Sequence, residues 1–290
     1  VCASSVYQFI YLLIKIKYNM FKIKTMFRIL LIFAFLFPST LNALVFDGKF
    51  IQGHFIVGKT QPETEIWIDK KKVKVSKDGF FAFGIGRDRK YDIVITSIKN
   101  GKKNRITKKI QKRKYKIQRI DGLPEKKVTP PKEVYERIKK ENKIISDARS
   151  VNSNLTFFKN KFKPPLENAI ITGVYGSQRI LNGKPKWPHY GVDFAAKEGT
   201  QIKAMLDGTA TMVEKDLFYT GGTLIFDHGH GISTLYMHMQ KIYVKKGQKV
   251  KQGEVIGTVG STGRSTGAHL DVRLNWFGTR LDPMTVLNIK

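Results

Sequence analysis

The chain has 290 residues, and its hydrophobic content of 41% is enough to bury one or two cores. Its 52 Lys and Arg against 23 Asp and Glu give a formal net charge of +29, which attracts polyanions or anionic lipid surfaces unless the lysines serve only solubility. The lysines are scattered, and no helix-turn-helix, zinc-finger or RNA-binding fingerprint occurs, so the composition argues against nucleic acid as the partner.

Residues 1–43 have the features of an export leader. A basic stretch, 22–28, precedes an apolar run, 29–37, that is too short to span a bilayer as a stable helix. Cleavage after Ala43 would release the protein into the periplasm or cell envelope, whereas an uncleaved leader would anchor it in the membrane. The single cysteine, Cys2, lies in this segment, so we expect no cysteine nucleophile or thiolate metal site in the mature chain.

Residues 44–125 predict a β-sandwich-like accessory domain. Short alternating runs, of which 65–69 and 80–83 are clear examples, have the length and spacing of strands in a small sandwich. Asp78-Gly79 forms a hairpin-type turn before the second of these runs. No cluster of potential ligands occurs in this segment, so we expect it to attach or position the rest of the protein.

Residues 126–165 predict a connecting helix and a linker. Pro130 and Pro131 precede an amphipathic stretch, 132–149, whose apolar residues recur near helical spacing. The following residues, 152–165, are mostly polar. The helix could pack against either neighbouring segment.

Residues 166–290 predict an antiparallel β domain, so the expected fold class of the whole chain is mainly β. Glycines recur every few residues, and few residues in this segment favour a helix. The short runs between the glycines are predicted strands: 201–204, 208–214, 223–227, 233–238, 249–250, 255–259 and 269–274.

Five polar residues in this last segment have the spacing of a hydrolytic metal site. His189 and Asp193 are four residues apart, while His269 and Asp271 are two apart on a predicted strand and therefore point to the same face. His238 lies in another predicted strand. Two or three of these groups suffice as zinc ligands, and the remaining histidines are then available for proton transfer.

In chain order, these residues resemble the lysostaphin-type (LytM-like) zinc murein endopeptidases. That family has a His-x-x-x-Asp, a later Tyr-x-His and a terminal His-x-His in a glycine-rich strand. The matching segments are 189–193, 236–238 and 265–271, and supporting matches extend the resemblance over about residues 168–285. The resemblance implies an open antiparallel β-sheet groove with one zinc ion at its floor.

The resemblance also implies a role for each residue. His189 and Asp193 would be metal ligands, and Asp271 stands at the position of the third ligand. His238 and His269 would be the catalytic pair that orients and deprotonates the zinc-activated water and stabilises the oxyanion. Three further side chains are candidates for the lining of the substrate groove: Tyr175, Arg179 and Tyr236. Arg179 could instead pair with a carboxylate.

Asp271 is a departure from the family pattern, which has a histidine at this position. A carboxylate binds zinc at about 2.0–2.2 Å, so coordination can survive. The added negative charge should make zinc a weaker Lewis acid.

Two hypotheses for the function follow from Asp271: a working site with altered chemistry, or a degenerate wall-binding regulator that activates other murein hydrolases. A third hypothesis is a polyanion-binding envelope protein that uses charge alone.

His228 and His230 lie close to this site in the sequence but have a simpler interpretation. Both fall in a predicted turn, where hydrogen-bonded histidines are commoner than a second metal site.

From the leader, the spacing of the polar residues and the family resemblance, we expect an exported zinc endopeptidase that hydrolyses the peptide cross-links of bacterial peptidoglycan. Its partners would be peptidoglycan and possible contacts with the membrane surface or other wall enzymes.

Overall fold

A computed structural model describes residues 44–122, 125–168 and 170–287, together with Met20. The expected export leader, apart from Met20, lies outside the described residues. Leu44–Lys290 forms one compact unit. The expected boundaries at 125/126 and 165/166 fall inside that unit and remain proposals.

The first part of this unit consists of two small antiparallel sheets, which fits the mainly β expectation. One sheet has the strand order β1-β2-β5 and the other has the order β4-β3-β6-β7. The strands are β1 (Val45–Asp47), β2 (Phe55–Lys59), β3 (Glu65–Ile68), β4 (Lys71–Val73), β5 (Phe80–Gly84), β6 (Ile93–Lys99) and β7 (Lys102–Lys108). Gly79 makes the turn before β5 and has φ +84°, a conformation that glycine adopts without strain.

The predicted connecting helix is present, and it packs against the second part of the chain. Strand β8 (Ile117–Ile120), helix α1 (Glu125–Val128) and a 3₁₀ turn (Lys132–Val134) lead into helix α2 (Tyr135–Arg149). Near its C-terminal end, α2 buries an apolar cluster against three strands of the large sheet. This cluster contains Ile145, Ala148, Met212, Leu217, Ile225 and Leu235.

A ten-stranded sheet dominates the second part of the chain, with the main strand order β17-β14-β15-β16-β19-β12-β9. A 3₁₀ turn (Phe157–Lys159) precedes it, and another (Pro283–Thr285) follows it. Its strands are β9 (Ile170–Gly173), β12 (Val192–Ala195), β13 (Gln201–Lys203), β14 (Gly208–Leu217), β15 (Gly221–Gly229), β16 (Ile232–Ile242), β17 (Lys249–Val250), β18 (Val255–Val259), β19 (His269–Trp276) and β20 (Thr279–Leu281). Two further strands, β10 (Gln178–Leu181) and β11 (Lys184–Pro185), form a separate three-stranded sheet with β8.

The two parts share one hydrophobic core. Phe83 on β5 makes an edge-to-face contact with Trp276 on β19, and the neighbouring Gly84 leaves space that the side chain of Leu281 fills. Arg113 donates a 2.6 Å hydrogen bond to the buried Asp282, which crosses the same boundary. Strand β8 also pairs in parallel with β10. Apolar packing and ion pairing therefore connect the accessory sheets to the large sheet.

Within the described ranges, no helix combines the length and hydropathy needed to cross a bilayer.

Candidate metal centre

Two neighbouring strands and the loop before them bring the three predicted ligands together. Asp193 on β12 lies directly opposite Asp271 on β19 in the antiparallel ladder. His189 is held just before β12, where its backbone N–H donates to the carbonyl of Ser177 at 2.9 Å. Nε2 of His189 lies 3.0 Å from Oδ1 of Asp193 and 3.3 Å from Oδ2 of Asp271. The two sequence motifs therefore converge on one point, as their spacing predicts.

This group has the donor set and spacing that a zinc ion requires. One ligand atom from each of the three residues lies within 4.8 Å of the others. Ligands at 2.0–2.2 Å in a tetrahedral arrangement are about 3.3–3.6 Å apart, close to the distances between His189 Nε2 and the two carboxylates. One imidazole and two carboxylates leave a fourth position free for water or substrate. The residues present therefore fit a catalytic zinc site.

Two glycines allow the carboxylates to take these positions. Gly173 on β9 lies opposite Asp193, and a Cβ at Gly173 would overlap the Asp193 carboxylate. A Cβ at Gly191 would likewise overlap Oδ1 of Asp271. Because no side chain other than a hydrogen atom fits at either position, the two glycines help to define the site.

Arginines contact both carboxylates, and the sequence analysis did not anticipate the contact of Arg273. Arg273 donates to Oδ2 of Asp271 at 2.9 Å and to Oδ1 at 3.3 Å, while Arg179 donates to Oδ2 of Asp193 at 3.3 Å. Burial raises the pKa of Asp271, but the charges and hydrogen bonds of Arg273 and His189 outweigh burial and hold that pKa well below its usual value. Arg273 thus offsets part of the negative charge that Asp271 adds to the site.

His238 reaches the site because the strand that carries it is irregular. The pairing of β15 with β16 shifts between Leu224/Tyr236 and Gly222/Met239, and His238 has a left-handed φ of +62°. Nδ1 of His238 lies 2.8 Å from the carbonyl oxygen of Thr262, so Nδ1 is the protonated nitrogen and Nε2 is left as a base. Burial lowers the pKa of His238, which favours the neutral ring.

His269 completes the pair. Its Nδ1 lies 2.8 Å from the carbonyl oxygen of Gly267, and its Nε2 lies 4.0 Å from Oδ1 of Asp193. The ring centroids of His238 and His269 are 4.7 Å apart. Both imidazoles therefore have Nδ1 occupied by a backbone carbonyl, and both line the groove that contains the ligand group.

The other two histidines have different environments. Both ring nitrogens of His228 are used, because Nδ1 lies 2.7 Å from the carbonyl oxygen of Asp207 and Nε2 lies 2.8 Å from Oγ1 of Thr234. His230 follows β15 in the turn, with its ring centroid 4.7 Å from that of Phe158. Burial lowers the pKa of each to about 4. Their contacts are those of structural residues, in agreement with the sequence analysis.

The site opens into a groove of 1090 Å³ between helix α2 and the large sheet. Arg179 and the five site residues line this groove. Tyr175 and Tyr236 do not line it. The hydroxyl of Tyr175 donates to the carbonyl of Arg280 at 2.9 Å, and the hydroxyl of Tyr236 accepts from the backbone N–H of Met205 at 2.9 Å. Both tyrosines are packed in the core, away from the groove.

An antiparallel sheet that brings one histidine and two aspartates together beside two partly free imidazoles has the layout of a metal-dependent hydrolase site. Residues 187–283 match the family model of Peptidase family M23. The chain therefore carries a peptidase M23 domain, which confirms the family resemblance inferred from the sequence.

Several curated proteins are similar to this part of the chain. An uncharacterized metalloprotease of Haemophilus influenzae is 44% identical over 102 residues, which cover 34% of this chain and 21% of the relative. The peptidoglycan DD-endopeptidase ShyA of Vibrio cholerae is 45% identical over 87 residues, or 30% of this chain and 20% of ShyA. The DD-carboxypeptidase/endopeptidase Mpg of Neisseria meningitidis is 41% identical over 98 residues, or 34% and 22%. The chain thus spans about a fifth of the length of these relatives.

One solved structure is similar over most of the chain. A protein from Pseudomonas aeruginosa whose name places it with peptidase M23 has a TM-score of 0.63 and 24% sequence identity. The similarity covers 82% of this chain and 94% of that protein. At this identity, the likeness establishes the fold, including the accessory sheets that lie outside the matched peptidase segment.

Proposed function

We propose that this chain is a zinc-dependent endopeptidase that hydrolyses peptide cross-links in bacterial peptidoglycan. The observation that carries the proposal is the convergence of His189, Asp193 and Asp271 next to two histidines that use Nδ1 in a bond to a backbone carbonyl and, among the described residues, have no such partner at Nε2. Relatives of the peptidase segment include enzymes named as peptidoglycan DD-endopeptidases, which supports the choice of substrate.

The three ligands would hold one zinc ion, which when bound supplies a Lewis acid that polarises a carbonyl group and makes water a stronger acid. Nε2 of His238 is placed to take a proton from the attacking water, because the carbonyl of Thr262 fixes the Nδ1–H tautomer. Nε2 of His269 is placed to donate a hydrogen bond to the developing oxyanion when that ring is protonated, or to return a proton to the leaving amine.

Asp271 is compatible with this activity because of its ion pair with Arg273. A second carboxylate alone would neutralise more of the cation's charge than a neutral imidazole does. The guanidinium of Arg273, which contacts both oxygens of Asp271, partly cancels that extra charge. We therefore propose that Asp271 occupies the position of the family's histidine ligand, and that its ion pair with Arg273 brings the net charge there close to that of a neutral imidazole.

The groove suits a peptide that carries negative charge. Its lining contains six Lys or Arg side chains against two carboxylates among the described residues. The peptides of peptidoglycan carry free carboxylates, so their attraction to this groove follows from Coulomb's law. Such a substrate lies in the cell envelope, and we propose that the protein acts there, in keeping with the expected leader. Contacts with the membrane surface or with other wall enzymes belong to the same proposal.

The test is digestion of isolated peptidoglycan by the purified full chain, with and without added zinc, followed by mass spectrometry of the released fragments. We expect zinc-dependent release of fragments whose cross-links are cut at an amide. Zinc binding without any cut amide would reject the endopeptidase and favour the regulator that activates other murein hydrolases. Binding to peptidoglycan that disappears at high salt and survives loss of His189 would instead favour a protein that acts through charge alone.

A further inference from the structure

Three arginines lie together along the groove beside the metal centre. Arg273 follows Asp271 by two residues on β19, so both side chains point to the same face of the sheet. Arg280 on β20 lies opposite Asn275, the next residue of β19 on that face. Arg149 is the last residue of helix α2 and lines the same groove from the other side. This arginine cluster (Arg149, Arg273 and Arg280) thus begins one side chain away from the ligands.

Two members of the arginine cluster have no counter-ion. Arg273 is paired with Asp271, but no carboxylate among the described residues lies within ion-pair distance of Arg149 or Arg280. Arg149 is only 8% exposed. The Nε atoms of Arg149 and Arg280 are both buried and have no hydrogen-bond partner within the described ranges.

The charges of the cluster also act on one another. Burial, followed by the charges of Arg280 and Arg273, lowers the pKa of Arg149 to about 10. Burial and the charge of Arg273 lower the pKa of Arg280 as well. A buried charge without a partner is costly, and so is an unpaired buried N–H group. Arg149 is buried, whereas Arg280 is half-buried and donates one hydrogen bond, from Nη1 to the carbonyl of Gly278 at 3.2 Å. An anion between the two guanidinium groups would therefore stabilise Arg149 most and Arg280 in part.

The guanidinium groups of Arg149 and Arg280 determine which anion can bind. Their position along the groove determines which residue of a bound peptide can carry it. Guanidinium groups bind carboxylates through paired hydrogen bonds in a fixed geometry. Arg280 lies opposite Asn275, four residues along β19 from Asp271, and an extended peptide rises about 3.3 Å per residue. A group that reaches this cluster therefore belongs to a residue within a few positions of an amide held at the metal centre. Tyr190, whose ring lies 5.3 Å from the guanidinium carbon of Arg280, closes one side.

We propose that Arg149 and Arg280 form a carboxylate subsite, which selects peptides that bear a free carboxylate within a few residues of the scissile amide. This inference rests on the proposed peptidase function and narrows its substrate class. Arg273 holds Asp271 and adds to the positive field of the subsite without being its primary donor. A peptide with the same sequence but a blocked carboxyl group is bound less well.

The test measures binding without hydrolysis, in the full chain treated with a chelator. The probes are diacetyl-L-lysyl-D-alanyl-D-alanine with its free carboxylate and the same peptide with a C-terminal carboxamide. Hydrogen bonds between charged groups make a difference of about tenfold or more in affinity. We therefore expect calorimetry to give at least about tenfold tighter binding of the acid than of the amide.

Substitutions then locate the effect. In Arg280→Gln and in Arg149→Gln, the acid-to-amide preference should fall to about threefold or less. Arg105→Gln is the matched control, because Arg105 is exposed on β7 and lies outside the groove. The melting temperature of each groove variant should stay the same or rise, since removing one arginine relieves repulsion with the others. A purely structural arginine would lower it.

Equal binding of acid and amide by the unmodified chain would overturn the proposal, and so would a preference that survives in both groove variants. Competition by inorganic phosphate together with equal peptide binding would show a general anion site, which also overturns it. The binding test of the carboxylate subsite can fail or succeed separately from the cleavage test of the peptidase. A carboxylate preference without cleavage of peptidoglycan would reject the peptidase and keep the subsite, whereas cleavage without the preference would do the opposite.

Discussion

The two histidine pairs of the large sheet differ in what their ring nitrogens contact. His228 uses both nitrogens in hydrogen bonds and is fully buried, and His230 packs against an aromatic ring. His238 and His269 each use Nδ1 in a bond to a backbone carbonyl, and Nε2 of His269 lies 4.0 Å from Oδ1 of Asp193. A histidine with both nitrogens used can hold a fold together but cannot take up a proton easily. His230 also leaves one ring nitrogen, the buried Nδ1, without a partner among the described residues. Of the four histidines, only His238 and His269 line the groove. Position in the groove, rather than a free ring nitrogen alone, therefore marks the pair that we propose for proton transfer.

The largest difference between the pairs should appear in catalysis. In His238→Ala and His269→Ala, peptidoglycan cleavage should fall by about 10²–10⁴-fold because a proton-transfer group is lost. Zinc content, measured by atomic absorption, should be unchanged, since neither residue is a ligand in the proposal. His230→Ala is the matched control, and its cleavage rate per folded molecule should remain close to that of the unmodified chain. A zinc content that falls with His238 or His269 would contradict this division.

The second largest effect should appear in the affinity for zinc when the carboxylate of Asp271 is removed. Asp271→Ala should weaken zinc binding by about 100-fold or more, because it removes a ligand and leaves Arg273 as an uncompensated charge next to the ion. Competition against a chelating dye measures this affinity. Asp271→His should retain zinc, whereas Asp47→Ala, an exposed carboxylate remote from the groove, should have no effect. Unchanged affinity in Asp271→Ala would remove Asp271 from the ligand set.

The buried side chain of His228 should make the stability of the folded protein depend on pH. The pKa of His228 is about 4 in the folded protein and 6.5 in its ordinary state, so the unfolded chain binds the proton more readily between these values. Stability is thus fully present above pH 6.5 and falls as the pH drops toward 4, by on the order of 3 kcal/mol. Urea unfolding of His228→Gln should show a smaller loss over this window. A difference between the two proteins that does not vary with pH would contradict the assignment.

The smallest effect should come from the glycines under the ligands. Gly191→Ala places a methyl group where Oδ1 of Asp271 lies, so we expect zinc affinity to drop by about tenfold, as for other residues that orient a ligand. Gly278→Ala is the matched control, because nothing lies within 4 Å of a Cβ there. Equal affinity in the two variants would show that the carboxylate has room to move.

The spacing of residues predicted much of the metal centre, because side-chain direction in a strand depends on local geometry alone. His269 and Asp271 point the same way since they are two apart in a strand, and the pairing of β12 with β19 then brings Asp193 opposite Asp271. The strands themselves follow from alternation and from glycine turns. The mainly β class and the family resemblance were therefore accessible from the sequence.

Tertiary packing decided what the sequence could not. Helix α2 could have packed on either segment, so nothing local indicates that Arg149 enters the groove. The irregular pairing that brings His238 to the site has no signal in the strand pattern. Tyr236 was predicted to line the groove, yet it alternates with Leu235 and Met237, which do line it. That alternation was a usable signal, as was the two-residue spacing of Asp271 and Arg273.

The shared core has a consequence for how this protein can be divided into fragments. A fragment starting near residue 166 would uncover the faces of Trp276 and Leu281 that Phe83 and Gly84 now cover, and it would leave Asp282 without Arg113. Exposed apolar patches of this kind promote aggregation. We therefore expect the peptidase segment to need the accessory sheets for its solubility, so that the two parts would have to be kept together in any fusion with another protein.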